Sequence, residues 1–255
     1  MILFRNILIT LLILCFFIPA SSIAGPYIEL GVGVTTRDVI EEGLTETGET
    51  ILTDPPTGVG RGIADSTRSL SEIGWNFGDR VTLYGNIGAV DLKIDEFDDF
   101  NSDFEVALGG GAKINWYTSP GPNRLSLFTD FSVLTFSASD TVSGRFEDTF
   151  RVADEDIRLT EYTLKLGVSM VHPTLDRPYA GIRLSTINGS DTVSFRPDQN
   201  FSTAVTRKLD ITEDDNFGLF AGTTFFFDQQ EKAGLNIELN IIDEFSFITA
   251  FRLNF

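Results

Sequence analysis

From residue 25 onward the chain repeats one unit about ten times: a run of roughly ten to fifteen residues in which apolar and polar side chains alternate, then a break rich in Gly, Pro, Asp or Asn. The runs fall at about 27–39, 67–77, 80–94, 103–117, 124–139, 156–171, 179–188, 213–227, 233–242 and 245–255. A period of two is that of a β-strand, so each run turns one set of side chains to an apolar environment and the other to a polar one. The breaks after the first, third, fifth and seventh runs are long, and those after the second, fourth, sixth and eighth are short. The last hairpin, at Asp243-Glu244, is tight. An open sheet in water has no reason to sort its loops by side.

A sheet that crosses a bilayer has such a reason, and it must also close, because an unpaired edge in lipid finds no water. The pattern therefore predicts an all-β fold: a closed antiparallel up-and-down transmembrane β-barrel of about ten strands, with short periplasmic turns and longer extracellular loops. Trp75, Phe77, Trp116, Tyr117, Phe225, Phe226 and Phe227 fall near the short-turn ends, where an aromatic girdle is expected. The final run places Phe245, Phe247, Thr249, Phe251, Leu253 and Phe255 on one face. Chain ends are usually polar and frayed, whereas here the last residue completes the apolar face.

In these features the chain resembles small bacterial outer-membrane β-barrel proteins, the OmpA-like and OmpW-like barrels among them. The resemblance implies residence in the bacterial outer membrane, contact with its lipid and lipopolysaccharide, and a C-terminal strand read by the barrel assembly machinery, with Phe251, Leu253 and Phe255 as the signal. Residues 1–24 fit such an address. A basic Arg5, an apolar core from Ile7 to Ile18 and a small-x-small end at Ser22-Ile23-Ala24 form an expected signal peptide, which leaves 25–255 as the barrel domain. The single cysteine, Cys15, lies in that leader, so the barrel is expected to hold together without disulfides.

The formal charge of −18 excludes a basic surface for nucleic acid. Outer-membrane enzymes of this build characteristically use a catalytic His, but the one His here, His172, precedes Pro173 in a short turn, so no enzyme and no catalytic residue is expected. Asp95, Asp98, Asp99 and Asp103 form an acidic run that begins like a calcium loop. Phe104 stands where a Gly should turn the chain, so the run is at most a loose site for Ca²⁺ or Mg²⁺, and no cofactor is expected.

With apolar residues facing lipid, the lumen face carries Glu29, Glu72, Glu105, Asp130, Glu161 and Glu238 against Lys113, Lys165, Arg183 and Arg252. That near balance predicts a lumen plugged by paired charges, with Asp130 between Lys113 and Lys165. The functional expectation is a structural or surface-interaction role through acidic outer loops, for a surface ligand the sequence does not name. The alternative is a narrow porin-like channel for ions or small solutes.

Overall fold

The computed structural model describes all residues except 1–22, 48–59, 96–99, 122, 147–148, 172–175, 196–204 and 214–215. Ten strands close into a ring. In order around it they are β1 (Ile23–Thr47), β2 (Gly60–Phe77), β3 (Val81–Val90), β6 (Glu105–Thr118), β7 (Leu125–Phe146), β8 (Thr149–Met170), β9 (Asp176–Phe195), β11 (Phe217–Phe226), β12 (Ala233–Ile241) and β13 (Glu244–Asn254). All neighbours are antiparallel, and β13 returns to β1 from Tyr27↔Asn254 to Arg37↔Glu244. Three further strands, β4 (Lys93–Asp95), β5 (Phe100–Asn101) and β10 (Val205–Glu213), lie in the long connections.

The outward face forms an apolar belt. Leu30, Val32, Ile73, Ile87, Leu108, Leu166, Ile182, Leu239 and Phe247 are all exposed there, as a surface solvated by lipid requires. Trp75, Phe77, Trp116, Tyr117, Phe225 and Phe227 point outward near its lower edge, the end that carries the short turns. Phe226 departs from the expected girdle. It faces the lumen, 9% exposed, under the Arg177 guanidinium at 5.0 Å, because three consecutive strand residues cannot share a face.

Several stretches expected as loops are sheet. β1 runs on to Thr47, β2 begins at Gly60, and β7 and β8 pair without interruption from Leu125↔Met170 to Phe146↔Thr149. A strand of 22 residues reaches roughly 70 Å, when about ten suffice to cross a bilayer. The physical reason is a change of phase. Within the belt the apolar residues of β8 point out, as Leu164, Leu166 and Val168 do, but above it Ile157 and Leu159 point in and are 1% and 3% exposed. β7 changes in the same way between Val133, which faces out, and Leu134, which is buried within. Once the outer surface meets water, the interior becomes the only place to bury apolar area. The upper extension accordingly encloses an apolar cluster that includes Val39, Val90, Ile94, Phe100, Phe136, Ile157, Leu159 and Ile211.

The short turns are held locally. Gly78 takes φ 64 in the β2–β3 turn, a conformation glycine adopts without steric cost. In the β11–β12 turn the Asp228 carboxylate accepts the backbone N–H groups of Gln230, Lys232 and Ala233 at 2.8, 3.1 and 3.0 Å. Those bonds hold its carboxyl below the usual aspartate range. A depressed folded-state value means the contribution is complete above the unfolded value, about 3.9, and fades as pH falls through the folded one. Asp228→Ala should therefore speed amide exchange across residues 228–233 at pH 7, and the difference from wild type should shrink on acidification. An equal difference at pH 7 and pH 2 would contradict this account of the turn.

Candidate functional site: the barrel lumen

Strand parity fixes which side chains enter the lumen, and the register arranges them in two charged layers below the apolar cluster. In the lower layer Lys113, Asp130 and Lys165 stand in one row across β6, β7 and β8, and the row continues on β9 to Arg183, whose guanidinium belongs to the upper layer. The contacts differ from simple neighbour pairing. Asp130 accepts the Tyr84 hydroxyl at 2.7 Å, Lys165 forms an ion pair with Glu238 on β12, and the Lys113 ammonium lies 4.3 Å from the centre of the Phe128 ring. Glu72 accepts the Tyr27 hydroxyl at 2.5 Å, and Glu29 lies 3.8 Å from Arg252, whose guanidinium stacks 3.7 Å above Tyr27. Each ring needs room, and glycine supplies it on the opposite strand. Gly74 lies beneath Tyr27 and Gly167 beneath Phe128, where an added Cβ would come within 2.2 and 2.6 Å of ring atoms.

The upper layer is a lattice of three guanidiniums and four carboxylates. Arg37 reaches Glu161 at 3.2 Å and Glu213 at 3.5 Å, and pairs with Glu244. Arg183 reaches Asp243 at 2.7 Å, Glu244 at 3.0 Å and Glu161 at 3.2 Å. Arg68 reaches Glu161 at 3.0 Å. The Ser185 hydroxyl lies 3.0 Å from Glu213 and 2.8 Å from Asp243. Groups this dry keep a charge only where they face an opposite one. Between this lattice and the apolar cluster lies a cavity of about 10 Å³, the size of one water, bordered by Arg37, Arg68, Glu161, Leu159 and Phe136.

Of the lumen residues expected from sequence, Glu29, Glu72, Lys113, Asp130, Lys165, Glu238 and Arg252 fall in the lower layer, while Glu161 and Arg183 sit at the centre of the upper one. Glu105 joins neither layer. It stands at the top of β6 and accepts the Ser139 hydroxyl at 3.3 Å. Sequence reasoning missed Arg37, Arg68, Glu213, Asp243 and Glu244. Arg37 and Arg68 share parity with Glu29 and Glu72, a signal that was available. Asp243 and Glu244 read as turn residues, and Glu213 as the foot of a strand.

Among the described residues no group of three His, Cys, Asp or Glu side chains is placed to hold a metal. Asp95 pairs with Lys93 at 2.6 Å and Asp103 is exposed, while Asp98, Asp99 and His172 lie outside the described residues. Phe251, Leu253 and Phe255 lie on the outer face, with Phe251 stacked on Phe227 at 6.2 Å.

The ten-strand closure and the apolar outer belt decide the class. The chain has the fold of an outer-membrane β-barrel. No family model matches it, and no curated protein does. Solved structures to which it is similar include the translocator domain of the autotransporter NalP from Neisseria meningitidis, at 13% identity, 92% of this chain and 90% of that one, with a TM-score of 0.46. The outer membrane protease OmpT from Escherichia coli matches at 11% identity over 92% and 97% of the two chains, also with a TM-score of 0.46. The toluene transporter TodX from P. putida matches at 11% identity over 91% and 90%, with a TM-score of 0.35.

Proposed function

We propose that this barrel resides in the bacterial outer membrane with its lumen closed, and that its role is structural or surface-interacting, exercised through the acidic outer rim rather than by transport or catalysis. The observation that carries the reading is the stack inside the ring: two layers of interlocked charges beneath an apolar cluster in which Phe100 and Val90 are 0% exposed. A barrel of about eight strands is already filled by its own side chains, and the upper extension of this one approaches that number. With the path blocked, the outer rim is the surface left for contact. Asp140 and Asp154 on the β7–β8 hairpin give it an acidic character that divalent cations would bridge to lipopolysaccharide phosphates. Leader removal before Gly25 and recognition of Phe251, Leu253 and Phe255 by the assembly machinery belong to the same reading.

The second reading is a narrow channel. It has one observation in its favour: the lower layer keeps water contact, with Lys165 and Arg252 side chains 20% and 26% exposed. Two measurements test the proposal. The protein should fractionate with outer membranes and change gel mobility on boiling, as a closed barrel does when its sheet is finally opened. Proteoliposomes carrying the folded protein at pH 5 should also retain small entrapped sugars. Recovery in soluble periplasm would overturn the location, and rapid sugar leakage would favour the channel.

A further inference from the structure

β10 occupies an unusual place in the wall. Above the tops of β11, β12 and β13 it alone among the described residues bridges β1 and β9, pairing with β1 from Val39↔Glu213 to Thr47↔Thr206 and with β9 from Asn188↔Thr212 to Phe195↔Val205. These pairings complete a second ring through β1, β2, β3, β6, β7, β8, β9 and β10, in which one strand replaces three. Removing β10 would break this outer ring and leave the ten-strand ring whole. It would also withdraw Ile211, 1% exposed, from the apolar cluster that caps the lumen.

The lower end of β10 is fastened where the wall changes from ten strands to eight. The Glu213 side chain, fully buried, faces Arg37 from β1 at 3.5 Å and Ser185 from β9 at 3.0 Å. The other charged groups around it are Arg68 from β2, Glu161 from β8, Arg183 from β9, Asp243 from the β12–β13 turn and Glu244 from β13. Four carboxylates thus meet three guanidiniums, so one proton would balance the lattice. Ser185 has a single hydroxyl hydrogen, yet it lies within bonding distance of both Glu213 and Asp243. A proton on Glu213 resolves both mismatches: the Glu213 carboxyl donates to Ser185 Oγ, and Ser185 donates to Asp243, which in turn holds Arg183. Burial favours that state, pushing the Glu213 carboxyl up to about 7 against the opposing pull of Arg37 and Ser185.

We propose that β10 is a detachable stave of the outer ring, latched by the protonated Glu213 carboxyl through Ser185 to Asp243, so that loss of this proton frees β10 and uncaps the lumen. The sign follows from linkage. A carboxyl whose latched value is raised favours the latched state at low pH, and the advantage is lost as pH climbs from about 4.3 to about 7. The latch rests on the closed-lumen reading only for its consequence. Sugar leakage at every pH would overturn that reading and leave the latch standing.

The test is amide hydrogen exchange on the folded, reconstituted wild type across a pH series, with protection corrected for intrinsic exchange. Protection of residues 205–213 should fall on the order of tenfold or more between pH 5 and pH 8, while β11, β12 and β13 hold theirs. Glu213→Gln keeps a donor toward Ser185 at every pH and should show flat protection. Ser185→Ala breaks the chain of bonds and should lower β10 protection at pH 5. Flat protection of β10 in the wild type, an undiminished pH response in Glu213→Gln, or wild-type protection at pH 5 in Ser185→Ala would each overturn the latch. If Glu213→Gln fails to assemble, the wild-type series and Ser185→Ala decide the question.

Discussion

Arg183→Ala should lower the unfolding free energy of the barrel by about 3–5 kcal/mol, the cost of removing one partner from a buried ionic network. Arg183 is 2% exposed and touches three carboxylates, Asp243, Glu244 and Glu161. Without it, four acids share Arg37 and Arg68, and Asp243 keeps the Ser185 hydroxyl and the Glu244 backbone N–H. Desolvation sets the size of the effect, because the same acids in water would lose little. Denaturant unfolding in detergent micelles would measure the loss. Acidification should restore part of it, since a neutral carboxyl needs no counter-charge. The exposed pair Lys93–Asp95, with side chains about half accessible, gives the contrast: Lys93→Ala should change stability by less than about 1 kcal/mol. Equal effects at the two sites would contradict a dry upper layer.

Phe136→Ala should cost about 3–5 kcal/mol as well, by a different mechanism: lost transfer free energy plus the cavity left behind. Phe136 is 5% exposed, opposes Leu159 across β7 and β8, and borders the water-sized cavity above the ion lattice. Long strands fix the wall, so the site has little freedom to collapse. Adding Leu159→Ala should enlarge the same void and turn an electrically silent barrel into one with intermittent conductance. A double variant as silent as wild type would show that the apolar cluster is not the barrier to passage.

The ring was legible in sequence wherever one face met lipid and the other the lumen, because that division imposes strict alternation on segments such as 27–39 and 245–255. Higher up the wall that division reverses. Above Tyr162 the outer face carries Thr160, Arg158 and Asp156, and the apolar residues move to the interior. A fixed phase therefore marks continuing strands as loops. Charges followed the same logic. Parity alone put Lys113, Asp130 and Lys165 inside, and the register sets them in one row. Their partners, however, come partly from across the barrel. Lys165 meets Glu238, 73 residues away on a strand that is not its neighbour. Such a pairing depends on how the ring closes, which local pattern does not encode. Asp243 and Glu244 were hidden for a related reason. A two-residue turn at Asp243-Glu244 looks solvated in sequence, but the turn falls at Ile242-Asp243, Glu244 opens β13, and both carboxylates fold inward onto Arg37 and Arg183.

A closed lumen is tested most directly by single-channel recording of the purified, folded wild type in a planar bilayer at acidic pH. The stacked charge layers and the apolar cap predict a flat trace with no unitary steps. Steady ohmic conductance, unchanged in the Phe136→Ala with Leu159→Ala variant, would show that ions pass along a route the cap does not block, and would make this barrel a channel.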